Sequence, residues 1–237
     1  MTIPVYLGWY LNQWIFLQFL EAKVDLSLIE RVMRIYEDFD VVISRAGVQF
    51  GMHCPPGCGT CCNSPKVEAT VLEMLPLAMA LWQSGQGEAL LDQYTAVTVP
   101  SRCLFFTPDE LHFGHGRCSV YPHRPTLCRL FGFAAVRQKQ GNRQFAACRF
   151  IKAMIPETVA AVQADLEAGG EYLLFTEAAH RIAELCPSLD RRFLINEALL
   201  RALEQVGMYL SYSTAEDADS STPEIDPEYP PPLKQCC

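Results

Sequence analysis

Apolar positions along the chain fall mostly at helical spacing. Leu28, Ile29, Val32, Ile35, Tyr36, Phe39, Val42 and Ile43 share one face, and Ser27 with Glu30 forms a capping box ahead of them. That pattern predicts a helix to about Arg45, with Gly47 and Gly51 opening a loop behind it. Lys66–Ala69 reads as a short extended piece. From Thr70 a helix runs through Leu72, Leu75, Leu77, Ala78 and Leu81 to Gly85 and Gly87, and a second covers Glu88 to about Thr95. Beyond Pro156 the pattern is helical again, broken at Gly169-Gly170, resumed from Tyr172 to Leu185 and stopped at Pro187. Ser188 is expected to cap the last helix, whose face carries Leu194, Ile195, Ala198, Leu199, Ala202, Leu203 and Val206.

Between these helical regions the period changes. Cys103–Phe106 and Cys118–Tyr121 read as two strands of a hairpin, and Phe133–Gln138 with Arg143–Cys148 as a second around Gly141-Asn142. Pro125 is placed to start a short helix carrying Cys128. The fold class expected is mainly α with a small antiparallel β-element. Residues 25–211 form a single helical domain around a cysteine-rich core at 53–150. An aromatic arm precedes it at 1–24, and an acidic tail, expected to be disordered, follows at 212–237.

Half of the 237 residues are hydrophobic, enough for a sizeable core, and the net charge of −8 argues against nucleic acid as a partner. Much of that charge sits in the tail, where Glu216, Asp217, Asp219, Glu224, Asp226 and Glu228 face only Lys234. Ile3–Leu20 lacks charge but is barely long enough to span a bilayer and is interrupted by Asn12, Gln13 and Gln18. A helix or arm buried on its own domain or on a protein partner is favoured over a membrane anchor.

Eleven cysteines change the picture. Four fall within Cys54-Pro-Pro-Gly-Cys58-Gly-Thr-Cys61-Cys62, where prolines and glycines exclude a helix and allow a tight turn. Converging thiolates repel one another unless a cation lies among them, and zinc and iron suit sulfur. Without a basic n-region or small-residue cleavage site in the pattern, and with the thiols clustered, metal is expected rather than disulfides, in a reducing, cytoplasmic setting. Cys103, Cys118, Cys128 and Cys148 are the further candidate ligands. Tyr121, Arg124 and Arg129 stand beside them in sequence, and cationic donors near thiolates stabilise the deprotonated form. Glu73 reads as a carboxylate of a helix's first turns, Cys186 as packing, and Cys236-Cys237 as an incidental pair. His123 receives no ligand role, and His112 and His115 read as exposed turn residues. No serine–histidine–acid set, phosphate loop or dinucleotide fingerprint is present.

The order C-x3-C-x2-C-C, a spaced Cys, C-x-V-Y-x-x-R-P-x-x-C-R-x-F and a last Cys, over about His53–Phe150, resembles the YkgJ-like cysteine-cluster family. The resemblance implies zinc or iron chelation through the eight cysteines Cys54, Cys58, Cys61, Cys62, Cys103, Cys118, Cys128 and Cys148. Two four-thiolate sites, one iron–sulfur cluster with further ligands, or a shared binuclear arrangement all suit that number. A lone C-x2-C pair, with the other thiols on a hairpin and a following turn, tilts the balance toward zinc; iron or an iron–sulfur cluster is the alternative. The expected function is a metal-binding protein, its metal stabilising the fold and supporting protein interaction. An iron or iron–sulfur enzyme or redox protein, distantly like the cysteine cluster of flagellin lysine methylases, is the second reading.

Overall fold

The structure is a computed structural model that describes residues 24–54, 57–59, 61–95, 102–109 and 115–217. The aromatic arm up to Lys23 lies outside the described residues, as do His112 and the tail beyond Asp217 with its Cys236-Cys237 pair.

Three long helices build the body. Helix α1 (Leu26–Phe50) buries Leu28, Ile29, Val32, Tyr36 and Phe39, the face that its periodicity marks. Its N-cap is Asp25, which accepts from Leu28 N at 2.8 Å, rather than Ser27, whose hydroxyl donates to the Asp25 carboxylate. A carboxylate captures the orphan amides of a first turn better than a hydroxyl does. The helix also runs past Gly47 and stops at Gly51, where φ of 67° ends it.

Strand β1 (Glu68–Thr70) leads into α2 (Val71–Gln83), capped by Thr70 and Glu73 in a reciprocal box. Helix α3 (Gly87–Thr95) follows. Near the C-terminus, α8 spans Ile195–Asp217. Leu72 and Leu75 of α2 and Leu199 and Leu203 of α8 are fully buried in one core with the α1 face. Trp82 Nε1 donates to Leu203 O at 2.9 Å, which pins α2 to α8.

Ser188 does not begin the last helix. Pro187–Leu189 is a 3-10 turn, and β6 (Arg192–Leu194) precedes α8 and pairs antiparallel with β1, Ala69 opposite Phe193. Helical periodicity runs straight through Leu194 and Ile195, so a three-residue strand spliced onto the helix leaves no separate signal. Helix α8 also extends to Asp217, into the segment read as tail.

Between α3 and α8 the regular elements are short. Strands β2 (Phe106–Pro108) and β3 (Gly116–Cys118) form a hairpin with Phe106 opposite Cys118. The paired residues lie nearer the connecting loop than the expected strands, and both cysteines sit at the open end. A 3-10 turn (Tyr121–His123) and α4 (Thr126–Leu130) follow. Strands β4 (Ala135–Arg137) and β5 (Arg143–Phe145) form the second hairpin. Helices α5 (Arg149–Met154), α6 (Pro156–Glu167) and α7 (Phe175–Ala183) complete the chain. The three strand pairs are separate two-stranded pieces, not one platform.

A second, smaller core gathers Ala46, Met52, Ala135, Phe145, Ala147, Ile151, Val162, Leu166 and Leu174. The fold is therefore mainly α with small antiparallel β-pieces, and the cysteine segments run between two apolar clusters. Among the described residues no helix is long and apolar enough to cross a membrane.

Candidate metal centre

The loop after α1 is held against the β2–β3 hairpin by backbone contact. Gly57 O accepts from Gly116 N at 2.8 Å. A Cβ on Gly59 would lie 2.2 Å from the Phe106 ring and 2.9 Å from the Gly116 backbone, so only glycine allows this approach. Asn63 N then donates to Gly59 O at 3.1 Å, curling Cys61 and Cys62 back toward Cys118 at the hairpin's end.

Cys61 Sγ and Cys62 Sγ are 3.9 Å apart, beyond the ~2.05 Å of a disulfide. Cys62 also hydrogen-bonds to Cys118. Its thiol is held protonated by these two bonds, above its ordinary range. The same bonds hold Cys61 down at about 6 and Cys118 down at about 7, with the Arg124 charge helping in both cases. Cys62 thus has one S–H to share between two flanking sulfurs.

Cys103 stands in the turn before β2, where burial raises its pKa and Cys118 and Cys61 add to the effect. Asn196 at the start of α8 brackets this turn, accepting from Leu104 N at 3.1 Å and donating to Arg102 O at 2.7 Å. Cys128 on α4 is pushed up by burial and then by the charges of Cys61 and Cys103. Cys54 is pushed up to about 12 by burial, with Cys58, Cys61 and Cys148 adding to it. Cys148 caps α5, its sulfur accepting from Ile151 N at 3.5 Å.

All eight cysteines therefore lie within electrostatic reach of others in the set, and Cys61 acts on Cys54, Cys62, Cys103, Cys118 and Cys128. An inner group, Cys62, Cys103, Cys118 and Cys128, lines a cavity of ≈ 20 Å³ with Val67, Met74 and Leu77. Cys54, Cys58 and Cys148 lie on the other side of Cys61 in this chain of influence. Among the described residues no three His, Cys, Asp or Glu side chains are already arranged as the ligands of an ion.

The three polar neighbours have different surroundings. Arg124 Cζ lies 3.3 Å from the centroid of the Tyr121 ring, and its Nη1 donates to Cys128 O at 3.2 Å. Tyr121 is 54% exposed, so the stacked pair forms the rim of the site. Arg129 is buried, donates to Arg124 O at 2.8 Å and to Pro122 O, and forms an ion pair with Asp40 of α1. It clamps the Tyr121–Arg124 turn to the body, with its guanidinium over the Tyr36 ring.

Glu73 is buried rather than at the surface, because both its oxygens are used. One accepts from Thr70 N at 2.8 Å, the other from Thr126 N at 3.2 Å, tying the helix that carries Cys128 to α2. Its place in a helix's first turns has a sequence signal, but its bond to Thr126 has none. Asp40 and Asn196 likewise acquire their roles only through partners distant in the chain. Cys186 lies apart from the site, 3.3 Å from Ser188 Oγ.

Residues 53–149 match the CxxCxxCC family, described as a "putative zinc- or iron-chelating domain". The match spans less than half of the chain, and it is a likeness of this segment to that domain. In this chain three residues, rather than the two in the family's name, separate the first two thiols. No curated protein and no solved structure matches the chain.

Proposed function

We propose that the cysteine-cluster domain binds zinc or iron through Cys54, Cys58, Cys61, Cys62, Cys103, Cys118, Cys128 and Cys148, and that the metal stabilises the fold. The observation that carries this reading is where the thiols lie. Cys103 and Cys128 pack on the main core and feel the charge of Cys61, Cys148 packs on the second, and Cys61 and Cys148 both act on Cys54. A cation bound by thiolates from segments so far apart ties the two cores together, because binding free energy becomes folding free energy. Zinc is favoured, and the sulfurs close in around it on loading. The Arg124 charge favours the deprotonated ligands, with Tyr121 stacked on it and Arg129 holding its turn in place. A protein-interaction role is assigned to the helical surface, supported by Val41 and Val48, exposed on one face of α1.

A second reading is an iron or iron–sulfur centre with redox or enzymatic activity. The exposed Tyr121–Arg124 pair beside two thiols of depressed pKa supports it, since cation and aromatic ring can face a small substrate. Metal analysis and a visible spectrum on anaerobically purified full-length protein separate the two. Colourless protein with stoichiometric zinc and no sulfide supports the first. Brown protein with iron matched by acid-labile sulfide supports the second. Protein without metal, whose melting is indifferent to added zinc or iron, overturns both.

A further inference from the structure

The Tyr121–His123 turn carries a polar atom that neither the fold nor the thiol set accounts for. His123 Nδ1 is buried and has no hydrogen-bond partner among the described residues. Leaving such an atom unmatched is costly, by about 1–3 kcal/mol, so a buried ring nitrogen without a protein partner points to one supplied from outside the chain. The same imidazole lines the ≈ 20 Å³ cavity with Cys62, Cys103, Cys118 and Cys128. That space is about the size of one water or one ion. A water in it would need two to four good polar partners, and most of the wall is hydrocarbon or thiol, which bonds water weakly. A borderline-soft cation fits the same wall better, because imidazole nitrogen and thiolate sulfur are its preferred donors and commonly occur together.

We propose that His123 Nδ1 is a ligand of the inner metal centre, which is then a mixed nitrogen–sulfur site rather than an all-thiolate one. The proposal rests on the metal-binding reading above and adds to it a donor at a position that the cysteine pattern leaves variable. Neighbouring contacts hold the ring where it is needed. Arg129 fixes the carbonyls on both sides of His123, at Pro122 and Arg124, while His123 N donates to Val120 O at 3.0 Å. The imidazole is thereby carried on a clamped turn, as a ligand's support requires. A neutral nitrogen also adds a donor to the inner centre without adding a negative charge to a wall that is mostly apolar apart from Arg124 and Asn196.

The test is ¹¹³Cd NMR on full-length, ¹⁵N-labelled protein loaded with cadmium in place of zinc. The expected result is a ¹¹³Cd splitting on one histidine ring nitrogen, traced through bonds to the backbone of residue 123. One cadmium resonance should lie upfield of the four-thiolate region. In His123→Gln the splitting should vanish and that resonance should move, while the number of bound cadmium ions stays the same or falls by one. Cadmium bound with every resonance in the four-thiolate region, or coupled to a different histidine, overturns the proposal and leaves the metal-binding reading standing. Failure to bind cadmium overturns both. The wild-type spectrum alone decides the matter if the variant does not fold.

Discussion

The α1–α2–α8 body and the thiol-bearing segments are held together by different physics. In the body, long helices bury continuous apolar faces, and Leu72, Leu75, Ala198, Leu199 and Leu203 are each at most 1% exposed. The hydrophobic effect alone accounts for such packing, at roughly 25 cal/mol per Å² buried. Around the cysteines the paired strands are three residues long, and backbone contact at Gly59 and Gly116 replaces side-chain burial. Two clamps from the body, Glu73 to Thr126 and Arg129 to Asp40, fix the segment carrying Cys128. One region is built from continuous apolar burial, whereas the other is positioned by backbone contacts and polar clamps from it.

The sharpest way to break this contrast is to damage the body. Leu199→Ala should cost about 2–5 kcal/mol and unfold body and site together, read as a lowered urea midpoint by circular dichroism. Metal retained in a chain whose helices have melted would show that the cysteine segments fold independently.

Removing ligands comes next. Cys61→Ser and Cys128→Ser should each lower metal occupancy and the melting temperature, although they lie in separate segments. Cys186→Ser should leave metal content intact and cost only about 1 kcal/mol, as a packing change does. Metal analysis and thermal melts on the three variants check this, and loss of metal from Cys186→Ser with none from Cys128→Ser would reverse the ligand assignment.

Gly59→Ala sharpens the comparison without touching a thiol. The added methyl meets the Phe106 ring and Gly116 backbone, and pushing the loop off the hairpin should cost about 1–3 kcal/mol. Weaker zinc affinity with an unchanged helical spectrum is expected; unchanged affinity would show that the loop's docking on β2–β3 is not needed for binding.

A smaller effect concerns pH. The depressed values of Cys61 and Cys118 mean that their thiolates stabilise the fold fully above the unfolded thiol value of 9.0, and that this is lost as pH falls through about 7 and about 6. Cys54, raised to about 12, has the opposite sign and favours the fold as a neutral thiol until pH rises past 9.0 toward that value. In metal-free protein at neutral pH, alkylation followed by mass spectrometry should therefore find Cys61 and Cys118 labelled ahead of Cys54, despite the greater exposure of Cys54. Cys54 labelled first would mean that exposure, not thiolate content, governs reactivity.

The smallest effect is expected from deleting residues 218–237, whose acidic, proline-rich composition offers little to bury. Metal content and melting temperature should stay the same, and metal lost on truncation would make Cys236 and Cys237 ligands.

Periodicity and spacing in the sequence determined the mainly helical class, the buried faces of α1, α2 and α8, the start of α2 after Thr70, both hairpins and the cysteine set that carries the family resemblance. These are local properties. An apolar stripe or a run of Cys, Pro and Gly constrains its own few residues whatever surrounds it. Only the tertiary structure decided which N-cap holds α1, that β6 pairs with β1, that Glu73 is buried between two helices, and that Arg129 turns to Asp40 while Arg124 faces the thiols. It also decided that His123 shares a cavity with four cysteines. Each of these depends on a partner found many residues away, and a long-range pairing leaves no period in the chain that makes it. The choice among competing polar partners falls to whichever one packing brings within hydrogen-bond reach.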